Sequence, residues 1–179
     1  MLRLNDLETQ ALLKILKNKK LQLLMQELDA SERTTLDLLI RRLSEPRAVS
    51  IYVDGAADLQ NEIAGIGVVM FAGDDEISRH AGYIGQATNN EAEYRSLIKG
   101  LELAAEQGFA AVNVFMDSEL VVRQINGQYQ VKNERMKPLY RQATTLLQKF
   151  DSWSVKHVPR TENKIADQLS KTGMSEGKI

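Results

Sequence analysis

The spacing of hydrophobic residues changes near Ser44-Glu45-Pro46. Before this point leucines recur at steps of three and four residues, which is typical of amphipathic helices. After it, apolar runs of strand length alternate with turn residues and longer helical patterns. We therefore predict a helical N-terminal segment over residues 1–47 and a second domain over residues 48–179. Short helices of this total length cannot bury a core of their own, so we expect the segment to self-associate or to dock within the chain.

The pattern of apolar residues over residues 48–179 predicts an α/β fold, in which helices pack on the faces of a mixed sheet. Three strands come first, and units in which helices and strands alternate come after them, an order that favours a mixed sheet. Gly108, Gly127 and Gly173 follow helical patterns, and glycine commonly ends a helix. The predicted strands cover residues 48–57, 64–72, 75–84, 111–116 and 152–158, and the predicted helices cover residues 89–107, 118–126, 135–150 and about 161–172.

The composition of the chain excludes some classes of protein but does not indicate a function. The chain has no cysteine, which excludes disulfides and thiolate metal sites. No run of about 18 apolar residues is present, so we expect no membrane span, and a cytoplasmic location fits these observations. The net charge is −1, with a net of +2 over residues 1–48 and −3 over residues 49–179. This charge distribution argues against strong nonspecific binding to DNA, although it permits a local basic patch.

Four acidic residues stand where predicted elements begin or end. Asp54 follows the apolar run of the first strand, Asp117 follows the fourth strand, and Glu93 lies near the start of a long helix. Asp167 lies in the last helix. Open α/β sheets keep their sites at the carboxyl ends of the strands, where exposed acids can meet. Hard divalent cations prefer carboxylate oxygens, and a chain with no cysteine and only two histidines points to magnesium or manganese rather than zinc.

Each of these acids also has an ordinary structural interpretation. Glu93 could be the capping-box partner of Asn90, and Asp117 could cap the helix that follows it. Asp54 could be a turn residue before a glycine. Asp167 could be an exposed acid on a helix surface. The joint pattern of the four residues favours a shared metal site over four unrelated roles.

Four short segments carry a specific resemblance, and they occur in order over residues 48–173. The chain resembles ribonuclease H type 1, within the broader group of reverse-transcriptase-like ribonuclease H domains. Residues 1–47 lie outside the resemblance. The matching segments are Tyr52-Val53-Asp54-Gly55-Ala56, Thr88-Asn89-Asn90-Glu91-Ala92-Glu93, Met116-Asp117-Ser118, and His157-Val158-Pro159-Arg160 leading into Asn163-Lys164-Ile165-Ala166-Asp167.

The resemblance implies a five-stranded mixed sheet flanked by helices and a nuclease that cuts the RNA strand of RNA/DNA hybrids, leaving 5′-phosphate and 3′-hydroxyl ends. The four acids would be ligands of two Mg²⁺ ions, with Mn²⁺ as an alternative. His157 would be a mobile histidine that helps proton transfer or product release, although a lone histidine near a strand end is more often structural. The implied substrate-binding residues are Gly55, Ala56, Thr88, Asn89, Asn90, Ser118, Glu119, Arg160 and Asn163.

Two features of the chain depart from the family pattern. The loop from Ala57 to Ile63 has lost the glycines and the proline usual there and has gained two acids, which would weaken hybrid binding or shift the substrate preference. Residues 1–48 contain no aromatic side chain and so offer no stacking surface for a nucleic acid. Two rival hypotheses therefore stay open: a noncatalytic nucleic-acid-binding protein on the same fold, and a related nuclease that cuts a different duplex.

Overall fold

The chain forms two compact units, Met1–Pro46 and Arg47–Ile179. A computed structural model describes residues 6–18, 28–44 and 48–176. In the first unit, helix α1 (Asp6–Leu16) contacts helix α2 (Ala30–Ser44). Asp29 caps α2, because its Oδ1 accepts hydrogen bonds from the backbone N–H groups of the two residues after Ala30. The predicted helical character of this segment is confirmed for its described residues.

The second unit is built on a five-stranded sheet, as expected. The strands are β1 (Ala48–Asp58), β2 (Ile63–Ala72), β3 (Asp75–Gly85), β4 (Ala111–Met116) and β5 (Ser152–His157). The strand order is β3-β2-β1-β4-β5. The β1–β2 and β2–β3 pairs are antiparallel, whereas the β1–β4 and β4–β5 pairs are parallel, so the sheet is mixed.

Helices cover both faces of this sheet. They are α3 (Asn89–Glu106), α4 (Glu119–Ile125), α5 (Met136–Leu147) and α6 (Lys164–Glu176), with a 3₁₀ turn at Arg160–Glu162. The side chains of Val49, Ile51 and Val53, every second residue of β1, pack into one core with helix α3, which contacts β1 and β2. The last helix, α6, contacts β1, β2 and β3. Among the described residues, no helix is both long and apolar enough to cross a lipid bilayer.

Helix α6 lies so close to the sheet that its backbone touches the backbone of β2 and β3. A Cβ atom at Gly67 would lie 2.2 Å from the Ala166 carbonyl oxygen. A Cβ atom at Gly173 would lie 2.5 Å from the Gly82 carbonyl oxygen. The prediction that the last helix stops before Gly173 is wrong, because α6 continues to Glu176 and this glycine serves close packing instead of ending the helix.

Candidate active site

The register of the parallel strands places Asp54 beside Asp117. The β1–β4 ladder ends at the pair Tyr52 and Phe115. Each aspartate lies two residues further along the chain, Asp54 within β1 and Asp117 directly after the end of β4. Asp54 was expected at an exposed strand end, but it is 5% exposed and paired with Gly67 of β2. Since β1 continues past it to Asp58, the alternative that Asp54 is a turn residue is wrong.

Glu93 reaches the same place from the first turns of α3. Helix α3 approaches β1 at Gly55, where a Cβ atom would lie 2.2 Å from the Ala92 carbonyl carbon and 2.3 Å from the Glu93 nitrogen. This approach lets the Gly55 backbone N–H donate a hydrogen bond to the Glu93 carboxylate. The N-cap of α3 is Thr88, so the alternative that Glu93 serves as a capping-box partner of Asn90 is wrong.

Asp54, Glu93 and Asp117 form a tight cluster, in which one carboxylate oxygen of each residue lies within 4.8 Å of the other two. Burial, and then the charges of Asp54 and Asp117, raise the pKa of Glu93 from its ordinary 4.5 to about 9. Burial likewise raises the pKa of Asp54 to about 6, against a hydrogen bond from Ser170 that lowers it. The cluster is electrostatically strained in the absence of a cation.

One atom of the cluster has no hydrogen-bond partner. Glu93 Oε2 is buried, and no described residue donates to it. A buried oxygen without a partner normally loses the full free energy of its hydration. A divalent cation bound by carboxylate oxygens would satisfy this atom and neutralise the repulsion among the three acids. The donor set therefore fits Mg²⁺ or Mn²⁺.

Asp167 lies next to this cluster but forms ion pairs with two basic side chains of the same chain, Arg160 and Lys171. Its carboxylate is 15% exposed, so it is not the exposed helix acid of the alternative interpretation. Arg160 Nε donates to Oδ1 at 2.9 Å, and Lys171 Nζ donates to Oδ2 at 2.5 Å. Burial alone would raise the pKa of Asp167, but hydrogen bonds from Lys171 and Arg160 lower it. The charge of Asp167 still contributes to the raised pKa of Asp54.

The structure thus brings three of the four predicted acids together and leaves the fourth adjacent and ion-paired. The alternative that Asp117 is a helix N-cap is wrong, because Ser118 occupies the N-cap position of α4. The Ser118 hydroxyl makes no capping hydrogen bond. Glu119 follows in the first turn of α4 and forms an ion pair with Arg123 at 2.5 Å.

His157 is the last residue of β5 and is exposed. The parallel register pairs it with Met116, the residue before Asp117. Its position at the carboxyl edge of the sheet, one strand away from the cluster, is consistent with the predicted role. Arg160 follows in the 3₁₀ turn, and its charge lowers the pKa of Glu93 against the stronger effect of burial.

Asn163 is placed differently from the prediction. It is 1% exposed, and its Nδ2 donates to the Val53 carbonyl oxygen at 2.9 Å. Its Oδ1 is buried and has no partner among the described residues. This burial is at odds with the predicted substrate contact. The side chain instead ties the turn before α6 to β1, next to Asp54.

The predicted substrate residues at the start of α3 lie together. Thr88 caps the helix, and its Oγ1 accepts from the Glu91 backbone N–H at 3.4 Å. Asn89 Oδ1 accepts from the Ala57 backbone N–H at 2.9 Å, so this side chain also supports the end of β1. Asn90 is exposed, whereas Gly55 and Ala56 in β1 are half-buried. These residues form an edge along which a duplex could lie.

Sequence reasoning missed two ionic contacts that support the site. Glu91 is buried, and Arg135 binds both of its oxygens at 2.9 Å, which ties the segment before α5 to the first turn of α3. These residues are 44 positions apart, so no local signal could have paired them. Lys171 was also missed, although an acid followed four residues later by a lysine on a helix is a recognisable pairing signal.

Comparisons with known proteins found relatives of the second unit. The family described as reverse transcriptase-like matches residues 52–173. Ribonuclease HI of Halobacterium salinarum is 39% identical over 129 residues, covering 72% of this chain and 65% of that protein. The bifunctional protein Rv2228c of Mycobacterium tuberculosis is 39% identical over 128 residues, covering 70% of this chain and 35% of that protein. The chain therefore spans less than two thirds of the length of these relatives.

Two solved structures share the fold closely. The crystal structure of ribonuclease H1 from Halobacterium salinarum superposes with a TM-score of 0.69 at 37% identity, covering 72% of this chain and 98% of that one. LC11 ribonuclease H1, solved in complex with an RNA/DNA hybrid, superposes with a TM-score of 0.69 at 34% identity, covering 73% of this chain and 99% of that one.

Proposed function

Because the chain belongs to the reverse-transcriptase-like ribonuclease H family, we propose that it is a metal-dependent endonuclease that hydrolyses the RNA strand of RNA/DNA hybrids. The observation that carries the proposal is the meeting of Asp54, Glu93 and Asp117, with one oxygen of each within 4.8 Å of the others. The unpartnered Glu93 Oε2 adds to it, because a scaffold protein would have no reason to keep a strained and unsatisfied carboxylate cluster.

The four acids would together hold two divalent ions, and Mg²⁺ is our proposal for the physiological ion, with Mn²⁺ as an alternative. Carboxylate oxygens without thiolates or clustered histidines suit these hard cations. When bound, such ions supply an activated water and stabilise the leaving oxygen of an in-line displacement. The chain's contribution is to fix the acids: Ser170 and Gly55 donate hydrogen bonds to Asp54 and Glu93.

The proposed reaction breaks the bond between phosphorus and the 3′ oxygen of the RNA strand. Water forms the new bond to phosphorus, and the departing 3′ oxygen takes up a proton, which leaves 5′-phosphate and 3′-hydroxyl ends. His157 is exposed at the carboxyl end of β5, and we assign it to proton transfer or product release. We also assign Arg160, in the 3₁₀ turn beside the acids, to contact with the negative charge of the phosphate.

Substrate choice would follow from the shape of the hybrid minor groove, in which only one strand carries 2′-hydroxyls. Asn89 and Asn90 at the start of α3 offer amide donors and acceptors for these hydroxyls and for base edges. Thr88 would help hold a phosphate of the DNA strand, and Ser118 and Glu119 would contact the substrate from the start of α4. No sequence preference is expected from such contacts.

The test of the proposed function is a cleavage assay with Asp117→Asn. We expect the wild type to cut labelled RNA/DNA hybrid with Mg²⁺ and to stop in EDTA. The variant should be about 10³-fold slower, since losing a metal ligand removes several kcal/mol of transition-state stabilisation. Asp151→Asn is the matched control, because Asp151 is exposed just before β5 begins, at the other end of the strand from His157.

Parallel reactions with duplex DNA, duplex RNA and single-stranded RNA separate the rival hypotheses. Cleavage of the hybrid alone supports the proposal. Cleavage of a different duplex would indicate a related nuclease with another substrate. Hybrid binding without any cleavage in Mg²⁺ or Mn²⁺ would indicate a noncatalytic binding protein and would overturn the proposed function.

We also propose that residues 1–47 serve self-association, whereas residues 48–179 form the catalytic domain. The support is that α1 and α2 belong to a separate small unit on which Ile15 remains exposed, and that the segment lacks aromatic side chains for a nucleic acid. The cytoplasmic location expected from the sequence stays a prediction.

Deleting residues 1–47 should lower the number of chains per particle in solution while leaving the rate of hybrid cleavage within about twofold, because the acids all lie outside the deleted part. Light scattering coupled to size-exclusion chromatography measures the mass. An unchanged number of chains per particle would contradict self-association, and a large fall in hybrid affinity would assign the segment to substrate binding instead.

A further inference from the structure

Both oxygens of the Asp167 carboxylate are occupied by cations that belong to the chain itself. Arg160 bonds to Oδ1 from the turn before α6, and Lys171 bonds to Oδ2 at 2.5 Å from one turn further along α6. No such cation touches the other three acids among the described ion pairs. The fourth acid of the site is therefore already neutralised before any divalent ion binds.

The two basic side chains that bind Asp167 are largely exposed to solvent. The side chains of Arg160 and Lys171 are 68% and 53% exposed, while the Asp167 side chain is 15% exposed. An exposed cation can leave its partner at little cost, because water rehydrates it at once. A divalent ion that binds Asp167 has to displace these contacts or share the carboxylate with them, so the two kinds of cation compete for the same oxygens.

We propose that the side chains of Lys171 and Arg160 compete with divalent ions for the Asp167 carboxylate. This competition sets the concentration at which a divalent ion binds to Asp167. The inference rests on the proposed function, since it concerns the same carboxylates. Lys171 acts here as a positioning residue: it touches Asp167 and, in the structure described, none of the other three acids.

Lys171 offers a cleaner test than Arg160. The charge of Arg160 also interacts with Asp54, Asp117 and Glu93, so its removal would disturb the whole cluster. The described ion pair of Lys171 is with Asp167 alone. Lys171→Met keeps the aliphatic stem and a good helix former at an exposed position of α6, so the fold should survive the change.

The experiment is a titration of the full chain with Mn²⁺ in the absence of nucleic acid, followed by the electron paramagnetic resonance signal of the free ion. We expect Lys171→Met to bind Mn²⁺ about three- to fivefold more tightly than the wild type, because one positive charge near the ion is removed. Lys171→Arg keeps the charge and should stay near the wild-type affinity. Lys149→Met, just beyond α5 before β5 begins, removes the same charge far from the acids and should also change little.

Repeating the Lys171→Met substitution in an Asp167→Asn protein separates competition at Asp167 from a general effect of charge. In Asp167→Asn, the Lys171→Met change should no longer alter Mn²⁺ affinity, because the shared ligand is gone. Unchanged affinity in Lys171→Met alone, equal tightening by Lys149→Met, or persistence of the effect in Asp167→Asn would each overturn the inference while leaving the proposed function intact. A wild type that binds no Mn²⁺ without nucleic acid would also overturn the inference, whereas the proposed function is decided by the cleavage assay, in which substrate phosphates help to hold the ions.

Discussion

Glu93→Gln is expected to abolish most hybrid cleavage and, at the same time, to stabilise the metal-free protein at alkaline pH. The variant loses a carboxylate from the cluster with Asp54 and Asp117, so the cleavage rate should fall about 10³-fold. It also loses the carboxyl group whose pKa burial raises to about 9. A residue kept for function at the expense of stability should show both effects together.

The stability effect has a defined sign and pH window. The unfolded chain releases the Glu93 proton near the ordinary pKa of 4.5, whereas the folded metal-free protein keeps it until about pH 9. The folded state therefore binds more protons between these values, and the free energy of unfolding falls as pH rises through this window. Asp54 adds to the fall between its ordinary 3.8 and about 6.

Urea unfolding in EDTA at pH 5, 6, 7 and 8 measures this effect. Near pH 5 the variant and the wild type should be similar, and by pH 8 the variant should be more stable by about 2–4 kcal/mol. Adding Mg²⁺ at pH 8 should stabilise the wild type more than the variant, since the ion binds only the folded state. Glu106→Gln, exposed at the other end of α3, is the matched control. Parallel pH profiles for the wild type and Glu93→Gln would contradict the strained cluster.

Gly55→Ala should have the second largest effect, a loss of about 3 kcal/mol or more in the free energy of unfolding. The new Cβ would lie 2.2 Å from the Ala92 carbonyl carbon and 2.3 Å from the Glu93 nitrogen. Both are backbone atoms of α3, which cannot move aside by rotating a side chain. The helix would have to shift away from β1, and the Glu93 carboxylate would move with it.

Gly73→Ala is the control for Gly55→Ala. Gly73 lies in the turn between β2 and β3 with a φ of +64°, and a Cβ there meets nothing within 4 Å. Its replacement should cost about 1–2 kcal/mol, the ordinary penalty of a left-handed conformation. Urea unfolding of both variants separates crowding from backbone conformation. If Gly55→Ala were no less stable than Gly73→Ala, the close approach of α3 to β1 would not be a constraint.

Hydrophobic spacing predicted the elements of the second unit because each is a local pattern. The strand at residues 111–116 and the helix at residues 89–107 depend on runs of adjacent residues, and the structure has β4 and α3 within a residue of these bounds. Gly173 shows where local reasoning fails. A glycine after a helical pattern usually ends the helix, yet here it lies against Gly82 of β3, and only the packed structure reveals that contact.

The capping of α3 shows a similar limit. The segment from Thr88 to Glu93 holds two overlapping pairs with capping-box spacing, one formed by Thr88 and Glu91 and the other by Asn90 and Glu93. The sequence alone cannot choose between them. The structure uses the first pair, and Arg135 then binds the buried Glu91 from 44 residues away. Glu93 is thereby left free to face Asp54 and Asp117.

The amino-acid sequence by itself singled out Asp54, Glu93 and Asp117, which the structure brings together, because their placement at strand ends and a helix start is a pattern along the chain. Tertiary structure alone decided how they differ. Asp54 is buried and Glu93 and Asp117 are half-buried beside it, whereas Asp167 is paired with Lys171 and Arg160. The reason is that a pKa and an ion pair depend on distances and burial across the fold. Residue spacing along one strand or helix does not determine these distances.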